Sequence, residues 1–501
     1  MITWQLVVLL IGIVVLIPRI WRKPVLGIYV LVGACVLFEN FPLGFPDSFT
    51  DQVPFFWNLN NSAGLPISAN PAEVLIAVTM LATIASASAR RRAAPFDSHG
   101  FAELPPERPN GRALRGAYIA FLGVVLFAEV HGMLAGGNWN ISLWEMRPQV
   151  YGFLLFILAG ALIRERRQVA WLAGIFLVCT AIKAGLGFDR YFIVMHQDLA
   201  NEESILGHED SYFLALFVVA TVIAMVWQRR RKVVLPLAIA APIVAVVMFE
   251  NRRRAAELAL VGALVVVVAM GIRFVPEVRV KLAVVSVTVT LMATAFVVVN
   301  WNVQSGIASQ IVRPVRTAMG QVDYRDYLSD LYRTNENLDI KFTYSTTPLI
   351  GTGFGLPFLL PFPLADISEN YPLWNYIPHN SLLWVAMRMG LLGMAAFWAL
   401  IGTVVLEGVR VVRTQSDRLL QAAAVFALAS VVAELLVGYA DVQLEAYRNM
   451  IFLGVMIGLI EALPRLQPAV APEVDREEAP LRGLTRYPIP AAALAGRRAE
   501  G

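Results

Sequence analysis

Charge is scarce in this chain. Only 16% of its 501 residues are Asp, Glu, Lys or Arg, too few to clothe a soluble protein of this apolar content. Cysteine is nearly absent: Cys35 and Cys179 both lie inside apolar runs, which excludes a disulfide framework and a cysteine-based metal site. Basic residues are missing altogether from 40–70 and 134–146. No repeat of solenoid or inverted-half type is visible. The net charge of +4 is spread over short clusters, and no nucleic-acid partner is expected from it.

What is present is apolar. Hydrophobic residues make up 57% of the chain, with mean hydropathy +0.62. Runs of Leu, Val, Ile, Ala and Phe reach the roughly 17–20 residues that cross a bilayer as a helix. About thirteen spans are expected: 3–17, 25–39, 71–89, 114–133, 147–163, 168–186, 209–227, 233–249, 255–272, 282–299, 380–406, 419–438 and 449–463. The first run lacks a small-residue cleavage site before a polar domain and is read as a retained span. The fold class is therefore an all-α integral membrane protein, a polytopic bundle of about 12–13 transmembrane helices. Its expected parts are 1–299 (spans one to ten, with a Pro-rich cytoplasmic loop at 93–112), a partly helical extracytoplasmic loop at 300–379, spans eleven to thirteen at 380–463, and a poorly ordered cytoplasmic tail at 464–501. A helix is expected near 316–345.

Short basic loops favour the cytoplasmic side. RIWRK (19–23), RRR (90–92), RERR (164–167), QRRRK (228–232), Arg273 with Arg279 and Lys281, and Arg410 with Arg413 and Arg418 all fall on that side if the N-terminus is outside and the C-terminus inside. The expected location is the plasma membrane. One cluster breaks the pattern. In FENRRRAAELAL, Arg252, Arg253 and Arg254 come out on the outer side, where an anion-binding role is the functional reading.

The loop 300–379 holds three further features: DYRDYLSDLYRTNENLDIKFTYS with Arg325, Arg333 and Lys341; PLIGTGFGLPF with Gly351, Gly353 and Gly355; and YIPHNSLLW with His379 and Asn380. The glycine spacing fits neither a dinucleotide nor a P-loop fingerprint. It marks turns where backbone closely approaches a helix or a ligand. The segment 187–210 carries Asp189, His196, Asp198, Glu202, Glu203, His208, Glu209 and Asp210 in no recognised zinc or calcium spacing. Sugar hydrogen bonding by Glu209 or Asp210, and a phosphate contact from Arg190, are its candidate roles. Charges inside spans need partners. Among Lys183, Glu257, Arg388 and Glu434, a pairing of Arg388 with Glu257 or Glu434 is expected.

Arg333, then Pro348-Leu349-x-Gly351-x-Gly353-x-Gly355, then His379-Asn380 before Gly390-Leu391-x-Gly393 together resemble the O-antigen ligase and O-antigen polymerase superfamily. The motif likeness covers roughly 249–405, with Arg254 the best match and Arg253 the next for an arginine at the outer start of a span. Arg388 stands where the related pattern often has an acidic residue, and thirteen spans exceed the usual dozen. The resemblance implies a GT-C-like membrane glycosyltransferase without metal or other cofactor. Its donor would be a polyprenyl-diphosphate-linked glycan and its acceptor a glycan, lipid or protein hydroxyl. Arg254 and Arg333 would bind the diphosphate, since guanidinium is permanently charged and grips phosphate oxygens bidentately. His379 would activate or orient the acceptor. Arg190, Arg252, Arg253, Glu209, Asp210, Arg325, Lys341, Asn380 and the three glycines would bind substrate. A transporter of polysaccharide or lipid-linked glycan is the alternative from another class, although paired broken helices are not evident. A scaffold without chemistry is the third.

Overall fold

A backbone crossing a bilayer must satisfy its own polar groups, and the helix does so within one segment. The apolar runs accordingly fold as helices. The computed structural model describes residues 4–40, 50–59, 69–93, 110–197, 204–228, 230–304, 306–321, 324–369 and 371–466. Among these there is no strand, and fifteen α-helices follow one another. They are α1 (Trp4–Arg22), α2 (Val25–Leu37), α3 (Pro71–Ala93), α4 (Asn110–Leu134), α5 (Trp139–Leu162), α6 (Arg166–Asp189), α7 (Asp210–Ile223), α8 (Arg231–Glu250), α9 (Arg254–Phe274), α10 (Arg279–Val299), α11 (Gly306–Ala318), α12 (Tyr324–Thr346), α13 (Ser381–Thr414), α14 (Arg418–Gly438) and α15 (Tyr447–Ala462). The expected loop 93–112 and tail 464–501 fall largely outside the described residues.

Every expected span is a helix, but eleven rather than thirteen are long and apolar enough to cross a membrane. The two exceptions have plain reasons. Helix α2 has 13 residues, about 20 Å at 1.5 Å per residue. Helix α5 carries Asn140, Glu145, Arg147 and Gln149 in its first half. The helix expected near 316–345 is two helices instead. Gly320, with φ of 84°, ends α11 in a left-handed turn in which Gln321 N–H donates to Arg316 O at 2.9 Å.

Helices α5 and α15 form the most intimate pair in the bundle. A Cβ on Gly454 would lie 2.2 Å from Gly152 O, so only glycine permits this crossing, as small residues do in membrane helix packing generally. Helix α15 is buried almost throughout, whereas α10 is almost wholly exposed apolar surface, as lipid-facing helices are.

The bundle has two chemically distinct ends. At one, Arg166 meets Asp417 at 2.7 Å, Arg418 meets Glu277 at 2.8 Å, Arg115 meets Glu461 and Trp227 Nε1 donates to Gln421 at 2.9 Å. At the other, Arg448 Nε donates to Cys35 O at 2.7 Å and pairs with Asp210, while Lys183 pairs with Glu39 and lies 3.3 Å from Asp210. Arg254 meets Asp330 of α12 at this same end. Arginines 252–254 and the segment 324–379 thus share an end, opposite Arg166 and Arg418. We call it the mouth.

Candidate active site at the mouth of the bundle

Helix α12 lies across the mouth. Its buried face comprises Glu336, Asp339, Ile340 and Thr343, positions that fall on one side of a helix. That face is stapled to the following segment: Phe362 N–H donates to Asp339 Oδ1 at 2.9 Å and Leu359 N–H to Thr343 Oγ1 at 2.9 Å. Burial, and next the nearby Glu336 charge, raise the Asp339 carboxyl pKa above its usual range, against the Phe362 hydrogen bond. The glutamate one turn earlier meets the histidine. His379 Nδ1 is 3.0 and 3.2 Å from the two Glu336 oxygens, and His379 N–H donates to Glu336 Oε2 at 3.0 Å. Glu336 is 1% exposed, while His379 keeps 21% of its side chain open. A carboxylate behind Nδ1 holds that proton and leaves Nε2 as the accepting nitrogen. Tyr332 and Tyr371 flank the ring at centroid distances of 5.7 and 5.9 Å.

His379 owes its position to a broken helix. Asn380 caps α13 by accepting Leu383 N–H at 3.0 Å. Ten residues on, Gly390 adopts φ 63°, ψ −162° and opens the backbone ladder. The segment Pro348–Gly353 fills the gap: Thr352 and Gly353 N–H donate to Met387 O and Arg388 O at 2.8 and 3.0 Å, and Leu391 and Leu392 N–H donate to Pro348 O and Leu349 O at 2.8 and 3.1 Å. Gly351, Gly353 and Gly355 all have positive φ. A Cβ on each would meet the backbone of Arg388, Gly132 and Asn138 at 2.4, 2.3 and 2.7 Å. Their close approach is therefore to helices, which corrects the substrate-binding expectation.

Arg388 bolts this joint. It is wholly buried and pairs with Glu145 of α5 at 2.6 Å, neither Glu257 nor Glu434. Its Nη1 donates to Gly353 O at 3.2 Å and its Nη2 to Tyr376 O at 2.8 Å. Glu145 also accepts Trp384 Nε1–H and Gly355 N–H at 2.9 and 2.7 Å. The expected partners are occupied elsewhere: Glu434 faces Asn449, and Glu257 interacts with Arg313 and Arg254.

The three consecutive arginines diverge because Arg252 has φ 57°, which turns the chain between α8 and α9. Arg252 acts on Glu250 and Tyr191. Arg253 Nη2 donates to Ser204 Oγ at 3.3 Å. Arg254 grips Asp330 with both terminal nitrogens, at 3.2 and 2.6 Å. Asp330 precedes Arg333 by three residues and Glu336 by six, about 4.5 and 9 Å along the helix. One carboxylate, Asp441, feels the charge of both Arg253 and Arg333. Burial would raise the Asp441 pKa, but hydrogen-bonded His208, Arg333 and Arg253 pull it well below the usual carboxylate range.

The structure thus gathers His379, Arg333, Arg253 and Arg254 at one mouth. The other candidates share that end but are engaged differently. Asp210 is 1% exposed and committed to Arg448 and Lys183, which corrects its sugar-binding role, and Glu209 is the residue preceding α7. Arg190 is 6% exposed, in a π-turn after α6. Lys341 is exposed, about 140° round α12 from Glu336. Asn380 is a cap, and the Arg325 side chain lies outside the described residues. Sequence reasoning missed Glu336, Asp441, Glu145 and the two tyrosines; the signal for Glu336 was an acid one helical turn after Arg333. Among the described residues no group of three or more His, Cys, Asp or Glu is placed to hold a metal ion. No protein-family model matches the chain, and no curated protein matches it.

Proposed function

We propose that this protein is a glycosyltransferase of the ligase or polymerase type, moving a glycan from a polyprenyl diphosphate to an acceptor hydroxyl at the extracytoplasmic face. The observation that carries the reading is the buried Glu336 behind His379, one turn of α12 from Arg333 and level with the arginines that begin α9. Such a mouth combines what the reaction needs. His379 Nε2 takes the acceptor proton as the acceptor oxygen bonds to the anomeric carbon. The bond from that carbon to the diphosphate breaks, and its electron pair leaves with the phosphate. Glu336 stabilises the imidazolium that forms, while Arg253 and Arg333 meet the growing negative charge in a place that partly excludes water. Arg254 joins them when a phosphate displaces Asp330.

Tyrosines beside the imidazole suit a sugar acceptor, whose C–H faces pack on aromatic rings. The test is transfer by the purified protein from a lipid-diphosphate oligosaccharide, read by mass spectrometry of the acceptor. Wild type should form product, and His379→Ala and Arg333→Ala should not. If both variants turn over normally, the site assignment fails. Movement of the lipid between leaflets without transfer would make the protein a transporter instead.

A further inference from the structure

A second imidazole stands at the same mouth. His208 Nδ1 lies 3.3 Å from Asp441 Oδ2, with the histidine side chain 41% exposed and the carboxylate 8%. The loop that presents it is held from beneath. Asn251 accepts Leu206 N–H at 2.7 Å and donates to Gly207 O and Ser211 Oγ at 3.1 and 2.7 Å. Asp210 accepts Gly207 N–H at 3.1 Å. Asp441 is equally fixed, because its Oδ1 accepts Val442 N–H at 2.9 Å and its carbonyl oxygen lies 3.3 Å from Ser381 Oγ. Ser381 is two residues from His379 and touches Asp441, so one short segment of chain connects the two imidazole–carboxylate pairs.

Their neighbours differ. His379 is flanked by tyrosines, whereas the loop that presents His208 is tied to Arg253, whose Nη2 donates to Ser204 Oγ at 3.3 Å, and Asp441 feels the charge of Arg253 and Arg333. Among the described residues, the charged groups placed near the His208–Asp441 pair are Glu209 beside His208, Arg253 at the start of α9 and Arg333 on α12. Asp441 orients the imidazole through Nδ1. A diphosphate lying on Arg253 and Arg333 would offer an acceptor to a proton on Nε2.

We propose that His208, oriented by Asp441, is a third phosphate-binding group for the donor, taking up a proton from solvent when a lipid diphosphate docks and giving it back when the diphosphate leaves. The inference rests on the glycosyl-transfer reading. It divides the two histidines, one accepting the acceptor's proton and the other countering charge on the leaving group.

Titration calorimetry of the detergent-solubilised full-length protein with sugar-free polyprenyl diphosphate tests this, in buffers of differing ionisation enthalpy at pH 7.5. Wild type should take up a proton on binding, and His379→Gln should retain that uptake. His208→Gln should abolish it and weaken binding about tenfold at pH 6.5, the loss of one charge-assisted hydrogen bond, with little change at pH 9. Asp441→Asn should reduce the uptake without removing Nε2. Unchanged uptake in His208→Gln overturns the inference alone. Wild type that binds no lipid diphosphate overturns the glycosyl-transfer reading with it.

Discussion

Glu336 makes both a ring contact and a main-chain contact to His379, so it sets the tautomer and the position of the imidazole together. Glu336→Gln keeps the shape but offers Nδ1 a neutral amide. The turnover number should fall about 10²-fold or more, with KM for the donor nearly unchanged, in steady-state assays. A merely structural role would lower the fraction of folded protein and leave its kinetics alone. At Arg333 the contrast is between charge and fork: Arg333→Lys keeps the cation and should still lose most activity, because ammonium cannot bind two phosphate oxygens in a plane. Glu445 gives a prediction about stability. It accepts a hydrogen bond from Ser381 at 2.6 Å, yet burial pushes its pKa up from 4.5 to about 8. The folded state therefore holds a proton that the unfolded state releases between those values, so stability falls as pH rises from 4.5 to 8. Glu445→Gln should flatten that slope, gaining on the order of a few kcal/mol above pH 8, as Tm measured against pH would reveal.

Two helices carry the residues of the proposed chemistry, and both depend on a joint that takes no part in it. The break at Gly390 and the plug at 348–353 place His379 at a fixed height over α12. Gly351→Ala combines a φ of 72° with a Cβ 2.4 Å from Arg388 carbonyl carbon; the expected loss is roughly 2–4 kcal/mol, seen as a lower Tm. Glu145→Gln leaves Arg388 as a buried cation without its anion and should destabilise by about 3–5 kcal/mol. The joint also shows where sequence reading stops. PLIGTGFG and HN were visible as a pair because their spacing is local and their residue types unusual. Whether the glycines approached a ligand or a helix was undecidable, since positive φ serves either. The partner of Arg388 was invisible for another reason: Glu145 is 243 residues away, and nothing in periodicity couples a particular acid on one span to a base on another. His379 and Arg333 were singled out from the motif. Glu336, which stands behind His379, lies in a stretch whose charge reads as a solvated helix face until burial is known.

The whole bundle sorts its charge by end. Long apolar runs located the helices because every expected span had to bury or present apolar surface, and length alone then removed α2 from those able to cross. Sidedness is a separate matter, set by what surrounds the two ends. Arg166, Arg418 and Arg115 lie at one of them, and Arg253, Arg254 and Arg448 at the other. Cytoplasmic retention acts on short basic loops, so the end bearing Arg166 is proposed to face the cytoplasm and α12 the outside, where a flipped lipid-linked donor is available. Labelling decides this cleanly because Cys35 is buried and Cys179 partly so, which keeps background low. Thr334→Cys, exposed on α12, should react with a membrane-impermeant maleimide in intact cells. Arg167→Cys, exposed at the start of α6, should react only after permeabilisation. The reverse pattern would put His379 in the cytosol, where the diphosphate donor would have to be met before it is flipped, and the outer-face reaction would fall.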